Sequence, residues 1–270
     1  MNNRTFPFIE IENKKYPSII MGEDQFTSWF PKCKTNYKTE TARAKAYAET
    51  VNAAYFEGVR GFSMSPHETL IKVLSVFKKD HPEIVCIANP HFGKNYYLNN
   101  ESLWLPKNLE RLTNTLNRND NNAFSKEEIA NFRIDTDEYF KNLQTFKTFC
   151  DFSLIGNLYK GTLLLLGRKD LIIKESVLVR KIGMTPLLIC EAGNIALKKS
   201  NGIDCAGYWV LYNEGSDNLV KVNKPITAYK AFTRKDGFDV EKTINFFNKI
   251  KNVKSLVVGV ENSIQAKETF

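Results

Sequence analysis

The chain lacks any long apolar segment. No run approaches the roughly 18 apolar residues that a membrane helix needs, and the opening stretch MNNRTFPFIEIENKKYPSII has no apolar core of the kind that a signal peptide carries. The 270 residues are 43% hydrophobic and 25% charged. This composition predicts a globular protein with a large core that works in the cytoplasm and makes no membrane contact.

Cysteine motifs are also missing. The five cysteines are an odd number, lie far apart and form no CxxC pair. Cys86, Cys150 and Cys190 each lie within an apolar run, so we interpret them as reduced core residues.

The sequence has no dense block of positive charge. The formal net charge is +8, but the lysines are spread along the chain and no nucleic-acid recognition motif accompanies them. We therefore expect no nucleic-acid partner. A basic balance instead favours a small anionic substrate, which it would attract over a distance; whether the protein forms a homo-oligomer is left open.

Eight short apolar runs alternate with helical or loop stretches. The predicted strands cover residues 17–24, 59–65, 83–91, 150–157, 185–194, 204–214, 225–232 and 255–262. This order predicts an α/β fold in which residues 1–270 form one (β/α)8 TIM-barrel domain. The alternative, a doubly wound open sheet, usually has a Gly-rich phosphate turn after its first strand. That turn reads GEDQFTSW here and contains one glycine.

The longest connection follows the third predicted strand. Residues 93–135 are polar and rich in asparagine, with short helices predicted near 106–117 and 125–132. We interpret this inserted segment as a cover over the barrel or as a surface that packs against a second subunit.

Polar residues just past the strands are the candidates for an active site, because TIM-barrel sites are built at the carboxyl ends of the strands. The candidates that we assign to substrate binding or catalysis are Glu23, His67, Asn89, His91, Asn157, Glu191, Tyr212, Lys230 and Asn262.

Two of the three histidines follow neighbouring strands. His67 lies within Ser65-Pro66-His67-Glu68, which has the form of a helix-capping box with serine at the N-cap. His67 and His91 could supply an acid and a base, since imidazole titrates near neutrality. With Glu191 they could also hold a divalent metal, although no HxH or HExxH spacing supports it.

Glu191 and Lys230 complete the predicted catalytic set. Glu191 ends the apolar strand PLLICEAG, so burial would raise its pKa toward a useful value for acid–base catalysis. Strand alternation places Lys230 with Ala228. An inward lysine could pair with an anion or form an imine, whereas an outward one would be a solvated residue at the strand end. Glu23 and Asn89 would orient the substrate, and Asn157, Tyr212 and Asn262 would bind it. For Asn262, a helix cap with Gln265 is the simpler interpretation.

Parts of the sequence resemble the aldo-keto reductase family. KPITAYKAF and SLVVGVENSIQAKETF look like that family's seventh and eighth strands, and AAYFEGVRGFSMS looks like its passage into the second strand. The resemblance implies a TIM barrel and NADPH chemistry with an Asp, Tyr, Lys and His set. Here the Asp position falls on Ser63, the Lys position on Ala88 or Asn89, and MSPHETL contains no tyrosine.

The leading prediction is therefore a barrel enzyme without a redox cofactor, of lyase, aldolase or isomerase type. It would act on a small anionic or sugar-like carbonyl metabolite, with Glu191 and His67 or His91 as acid and base. The first alternative is an NADPH-dependent reductase whose proton donor is His67 or His91. The second is a binding protein that keeps the barrel scaffold without catalysis.

Overall fold

A computed structural model of the chain describes residues 5–27, 37–90, 95–118, 123–156, 160–190, 194–212, 222–230 and 252–270. Across these residues, no helix is both long enough and apolar enough to cross a membrane.

Eight parallel strands form a closed barrel, as the sequence predicted. Each strand pairs with the next along the chain, and β13 pairs with β3 through Leu256↔Ile19 to close the ring. The barrel strands are β3 (Ile19–Gly22), β4 (Gly61–Met64), β5 (Val85–Ala88), β9 (Phe152–Ile155), β10 (Thr185–Cys190), β11 (Gly207–Leu211), β12 (Ile226–Tyr229) and β13 (Val253–Gly259).

In the connections that the structure describes from β3 to β11, helices follow the strands and lie outside the barrel. The connection from β5 to β9 also holds the inserted segment. The described helices are α1 (Asp24–Thr27), α2 (Glu40–Phe56), α3 (Glu68–Asp80), α4 (Pro106–Arg118), α5 (Lys126–Ala130), α6 (Thr136–Leu143), α7 (Lys160–Leu165), α8 (Lys169–Lys181), α9 (Asn194–Lys199) and α10 (Ser263–Thr269).

Alternation along the strands separates two apolar layers. One cluster contains strand and hairpin residues, among them Ile87, Leu154 and Ile189, together with Ala206 just before β11, and it fills the barrel interior. The larger cluster joins the outward faces of the strands to the helices, and Cys86, Cys150 and Cys190 are buried in it, as the sequence predicted. Successive side chains of a strand point to opposite faces, so the same short strands supply both layers.

An N-terminal hairpin closes the end of the barrel where the strands begin. Its strands are β1 (Phe8–Ile11) and β2 (Lys14–Pro17), which are antiparallel and joined by two residues in the left-handed region, Glu12 and Asn13. The Lys14 ammonium donates to the carbonyl oxygens of Asp151 and Gly183, which precede β9 and β10. The sequence pattern did not predict this hairpin.

Tyr16 anchors the hairpin inside the barrel. The indole Nε1 of Trp209 donates to the Tyr16 hydroxyl at 2.8 Å, and this hydroxyl is 2.8 Å from Oγ1 of Thr227. A Cβ at Gly61 would lie 2.7 Å from Cβ of Pro17, the last residue of the hairpin, and 2.7 Å from the carbonyl oxygen of Ile19 at the start of β3. Glycine is therefore required where β4 begins.

The inserted segment after β5 is more regular than its polar composition predicted. Its strands β6 (Tyr96–Leu98), β7 (Glu101–Ser102) and β8 (Phe132–Ile134) form a separate three-stranded antiparallel sheet. The Arg111 guanidinium of α4 donates to the Ala123 carbonyl oxygen at 2.6 Å and to the Glu128 carboxylate at 2.9 Å, which ties α4 to α5.

Two predicted helices have different bounds in the structure. The sequence predicts one long helix over most of 158–182, but the structure has α7 and α8 there, because Gly167 between them has φ +79° and interrupts the helical backbone. The helix expected over 125–132 ends at Ala130, and Phe132 begins β8, where its side chain is buried.

The Tyr16→Phe substitution tests the hairpin anchor. Removal of the hydroxyl leaves two buried polar groups without this partner, so we expect the free energy of unfolding to fall by about 1–3 kcal/mol. Chemical denaturation measures the change. Tyr97→Phe is the control, because that tyrosine is half-buried and its ring lies under the Arg133 guanidinium, a contact that phenylalanine keeps. Equal losses in the two variants would show that the Tyr16 hydroxyl adds nothing.

Candidate functional site

Glu23 lies at the end of the first barrel strand and is almost completely buried. Its side chain is 1% exposed. The Ser63 hydroxyl donates to its Oε2, and the Ser65 hydroxyl donates to its Oε1. Ser63 is in register with Ile87 of the barrel interior, so the carboxyl group is held at the interior side of the rim.

The surroundings of Glu23 make it titrate near neutrality. Burial, and next the charge of Asp24, raise its pKa from 4.5 to about 7, against the opposing effect of the two serine hydrogen bonds. Loss of hydration penalises the ionised form, whereas hydroxyl donors stabilise it. A carboxyl group with this pKa can release and accept a proton at physiological pH.

Asp24 and Lys230 form an electrostatic pair beside Glu23. Asp24 begins α1, and burial raises its pKa while the positive charge of Lys230 opposes that rise. Lys230 follows β12, which is separated from β3 by one strand of the closed ring. The pair therefore depends on barrel closure.

The Lys230 side chain is exposed at the rim. The inward face of β12 carries Thr227 and Tyr229, whereas Ala228 packs in the outer layer. Strand alternation does not continue through Lys230, because its φ of +52° turns the chain as β12 ends. Its Nζ lies 5.9 Å from the Tyr229 ring centroid. An exposed ammonium of this kind suits electrostatic attraction of an anion.

His67 lies at the start of α3, but the predicted serine cap is wrong. The N-cap residue is His67 rather than Ser65, and no side chain caps α3, because the Ser65 hydroxyl is directed to Glu23. Burial, followed by the nearby Arg43 charge, lowers the pKa of His67. Its Nε2 lies 4.0 Å from the Glu40 carboxylate. The imidazole is therefore largely neutral at pH 7.

The remaining described candidates have different surroundings. Asn89 is 8% exposed, and its backbone N–H donates to the Met64 carbonyl oxygen at 2.7 Å. The Tyr212 side chain packs in the outer layer, away from the barrel interior. The Asn262 side chain caps α10 by accepting from the Gln265 backbone N–H at 2.8 Å. Of these three, Asn89 has the position best suited to contact with a ligand.

Three predicted site residues, His91, Asn157 and Glu191, lie outside the described residues. Their assignments remain predictions, as does the proposed metal set that combines His67 with His91 and Glu191. Within the described part of the chain, no three His, Cys, Asp or Glu side chains are grouped so that they could hold a metal ion.

From the sequence, Ser63 was considered as the residue at the aldo-keto reductase Asp position and Ser65 as a helix cap, and the connection of both to Glu23 was missed. A signal was present: two serines separated by one residue share a face of β4, and β4 neighbours the strand that ends in Glu23. The capping pattern around Ser65 predicted that its hydroxyl bonds to the backbone at the start of α3, whereas it bonds to the Glu23 carboxyl group.

The raised pKa of Glu23 has a consequence for stability. The native state binds this proton more tightly than the unfolded state does. The resulting stabilisation is fully present below pH 4.5 and is lost as the pH rises through about 7. From pH 4.5 to about 8, the native protein should therefore lose roughly 2–4 kcal/mol of unfolding free energy relative to the Glu23→Gln variant.

Urea denaturation at the two pH values measures this difference. Glu49→Gln is the control, because Glu49 is exposed on α2, and this variant should follow the native protein. Parallel pH dependence of native protein and Glu23→Gln would contradict the raised pKa.

Comparisons with known proteins identify the fold. The sequence matches no protein-family model and is not detectably similar to any curated protein. Among solved structures, a Pseudomonas aeruginosa protein assigned as an aldo-keto reductase is similar with a TM-score of 0.57 and 13% identity, covering 99% of this chain and 95% of its own. A glycerol dehydrogenase from Gluconobacter oxydans is similar with a TM-score of 0.56 and 11% identity, covering 100% and 91%.

These similarities span nearly the whole chain at low sequence identity. They concern the fold and not the chemistry, because one fold supports many unrelated activities. The chain thus has an aldo-keto reductase-like (β/α)8 barrel.

Proposed function

We propose that this protein is a barrel enzyme of lyase, aldolase or isomerase type that acts on a small anionic or sugar-like carbonyl metabolite. The observation that carries the proposal is the Glu23 carboxyl group, which is buried at the rim with a pKa of about 7. Buried groups with strongly shifted pKa values are concentrated at functional sites. Glu23, which the sequence analysis assigned to substrate orientation, is therefore the proposed proton-transfer residue.

Proton transfer by Glu23 fits chemistry beside a carbonyl group. In its ionised form the carboxylate can accept the proton from the carbon next to the carbonyl. In its neutral form the carboxyl group can donate that proton to the same or a neighbouring atom, as an isomerisation requires. The low exposure of Glu23 limits competition from water.

Other rim residues have proposed parts in the same reaction. Isomerases and lyases often need a second acid or base, and we propose His67, His91 or Glu191; the neutral imidazole of His67 suits a base. The exposed Lys230 ammonium would attract an anionic group of the substrate, with imine formation as the alternative. Asn89 would orient the carbonyl group.

Deuterium exchange tests the proposed proton abstraction without knowledge of the final product. The protein is incubated in D2O with a panel of sugar phosphates and keto acids, and proton NMR follows loss of the C–H signal beside the carbonyl group. We expect exchange with at least one compound, and at least about 100-fold slower exchange with Glu23→Gln, because general acid–base catalysis contributes factors of that size.

The Glu49→Gln variant is again the control and should exchange at the native rate. Full exchange by Glu23→Gln would contradict the assignment of Glu23. Exchange with none of the compounds, combined with tight binding of one of them, would favour the non-catalytic binding protein.

An NADPH-dependent reductase is the second candidate. The fold favours it, since the two reductase-type structures align over nearly the whole chain. The described residues are compatible in part: Tyr229, the last residue of β12, faces inward beside Trp209 and Leu211 and is 8% exposed. An aromatic side chain at this position would suit stacking against a flat ring. NADPH would supply a hydride ion, and neutral Glu23 would supply the proton for the carbonyl oxygen.

Fluorescence of NADPH separates the two candidates. The reductase candidate predicts that the native protein and Glu23→Gln both change the nicotinamide emission, since the substitution removes the proton and not the binding surface. Tyr229→Leu should weaken this binding, whereas Tyr97→Leu on the inserted segment should not. No change in emission at high protein concentration would remove the reductase candidate.

A further inference from the structure

Two serine hydroxyls hold the carboxyl group of Glu23, one on each oxygen. Ser63 lies within β4 and Ser65 lies just beyond its end, so both come from one stretch of chain next to the neighbouring strand β3. The two serines are 3% and 0% exposed. In this buried setting the carboxyl group cannot rotate without losing both bonds.

The Ser65 hydroxyl bonds to Glu23 instead of capping a helix. Ser65 precedes Pro66 and Glu68, which is a favourable sequence for an N-cap, yet α3 begins at Glu68 without a side-chain cap. A favourable local interaction is therefore absent at this position, and the hydroxyl that would accept in a helix cap donates to Glu23 instead. Functional constraints are expected at positions where the sequence favours a local interaction that the structure does not form.

We propose that Ser63 and Ser65 are positioning residues that hold the Glu23 carboxyl group in one orientation for proton transfer. This inference rests on the proposed function of Glu23. A hydroxyl group can donate to the ionised carboxylate and can accept from the neutral carboxylic acid. The same pair can therefore hold Glu23 in both of the protonation states through which it passes.

The arrangement also controls the charge of Glu23. Burial and Asp24 both favour the neutral acid, and the two serine bonds are the opposing interactions from side chains. Without them, the neutral form would persist to higher pH. The serines thus keep the carboxyl group within reach of both protonation states near pH 7.

The test is a direct titration of Glu23 by carbon NMR in protein labelled at the glutamate side-chain carboxyl carbon. The Glu23→Gln spectrum identifies the signal. We expect the midpoint of about 7 to rise by about one unit in Ser65→Ala and in Ser63→Ala, because a hydrogen bond to a charged group is lost. Ser65→Thr keeps a hydroxyl and should restore the native midpoint.

Ser255→Ala is the matched control. Ser255 is also a buried barrel serine, but its hydroxyl donates to the Pro17 carbonyl oxygen at the hairpin end of the barrel. We expect this variant to lose stability without moving the Glu23 midpoint. A purely structural function of Ser63 and Ser65 would produce the same pattern as the control.

Folding of the alanine variants is favoured at low pH, where Glu23 is neutral and needs fewer donors. If either variant unfolds before the titration of Glu23 is complete, the pH at which it unfolds is compared between variants instead of the titration midpoint. We expect that pH to lie below the corresponding value for Ser255→Ala. An unchanged Glu23 midpoint in Ser63→Ala and Ser65→Ala, or unfolding no more sensitive to pH than that of the control, would overturn the proposal.

The titration is independent of turnover, so the two proposals can fail separately. A midpoint that rises in the serine variants, in a protein without exchange activity, would support the arrangement around Glu23 and contradict the proposed reaction. If exchange requires Glu23 but both serine variants exchange at the native rate and with the native pH dependence, the positioning function of the serines is contradicted. The proposed function of Glu23 would then still be supported.

Discussion

The pairing of β13 with β3 closes the sheet into a barrel, and the rim depends on this closure. Within the ring, β12 is separated from β3 by one strand, although Lys230 and Asp24 are about 200 residues apart in the chain. Closure therefore brings the Lys230 charge to Asp24, which in turn acts on Glu23. At the other end of the barrel, Tyr16 joins the hairpin to Trp209 and Thr227. The hairpin end is thus fixed by buried hydrogen bonds, and the opposite end holds the titrating groups.

Glu23 illustrates how a stable scaffold carries an unfavourable group. An isolated ionised carboxylate is costly to bury, and two serine hydroxyls and a backbone hydrogen bond offset only part of this cost. The remaining penalty appears as a raised pKa, which is the property that suits proton transfer. Stability and the proposed chemistry are therefore opposed at this residue, and the capping bond absent from α3 is a second instance of the same opposition.

Much of the fold could be predicted from the sequence, since eight apolar runs in alternation with helices leave few architectures. The barrel was predicted in this way, and so was the burial of Cys86, Cys150 and Cys190. The pattern did not reveal the three-stranded sheet of the inserted segment, because its strands are only two or three residues long. The break at Gly167 was missed because the flanking sequence remains apolar and helical in period.

The site was less predictable than the fold. Proximity to a strand end identified Glu23, Asn89 and Lys230 as rim residues, but it also selected Tyr212, which packs outward, and Asn262, which caps a helix. Strand alternation could not determine the Lys230 side chain, because a positive φ turns the backbone there. The protonation behaviour of Glu23 depends on burial and on serines from another strand, and neither is visible in a local sequence window.

Infrared spectroscopy of the native protein tests the central claim most directly. The difference between native protein and Glu23→Gln isolates the absorption of the Glu23 carboxyl group, and the carbonyl stretch of the neutral acid reports its protonation. We expect this band at about pH 6 and its disappearance by about pH 8. A Glu23 that is already fully ionised at pH 6 would contradict the account of the rim as a site of proton transfer.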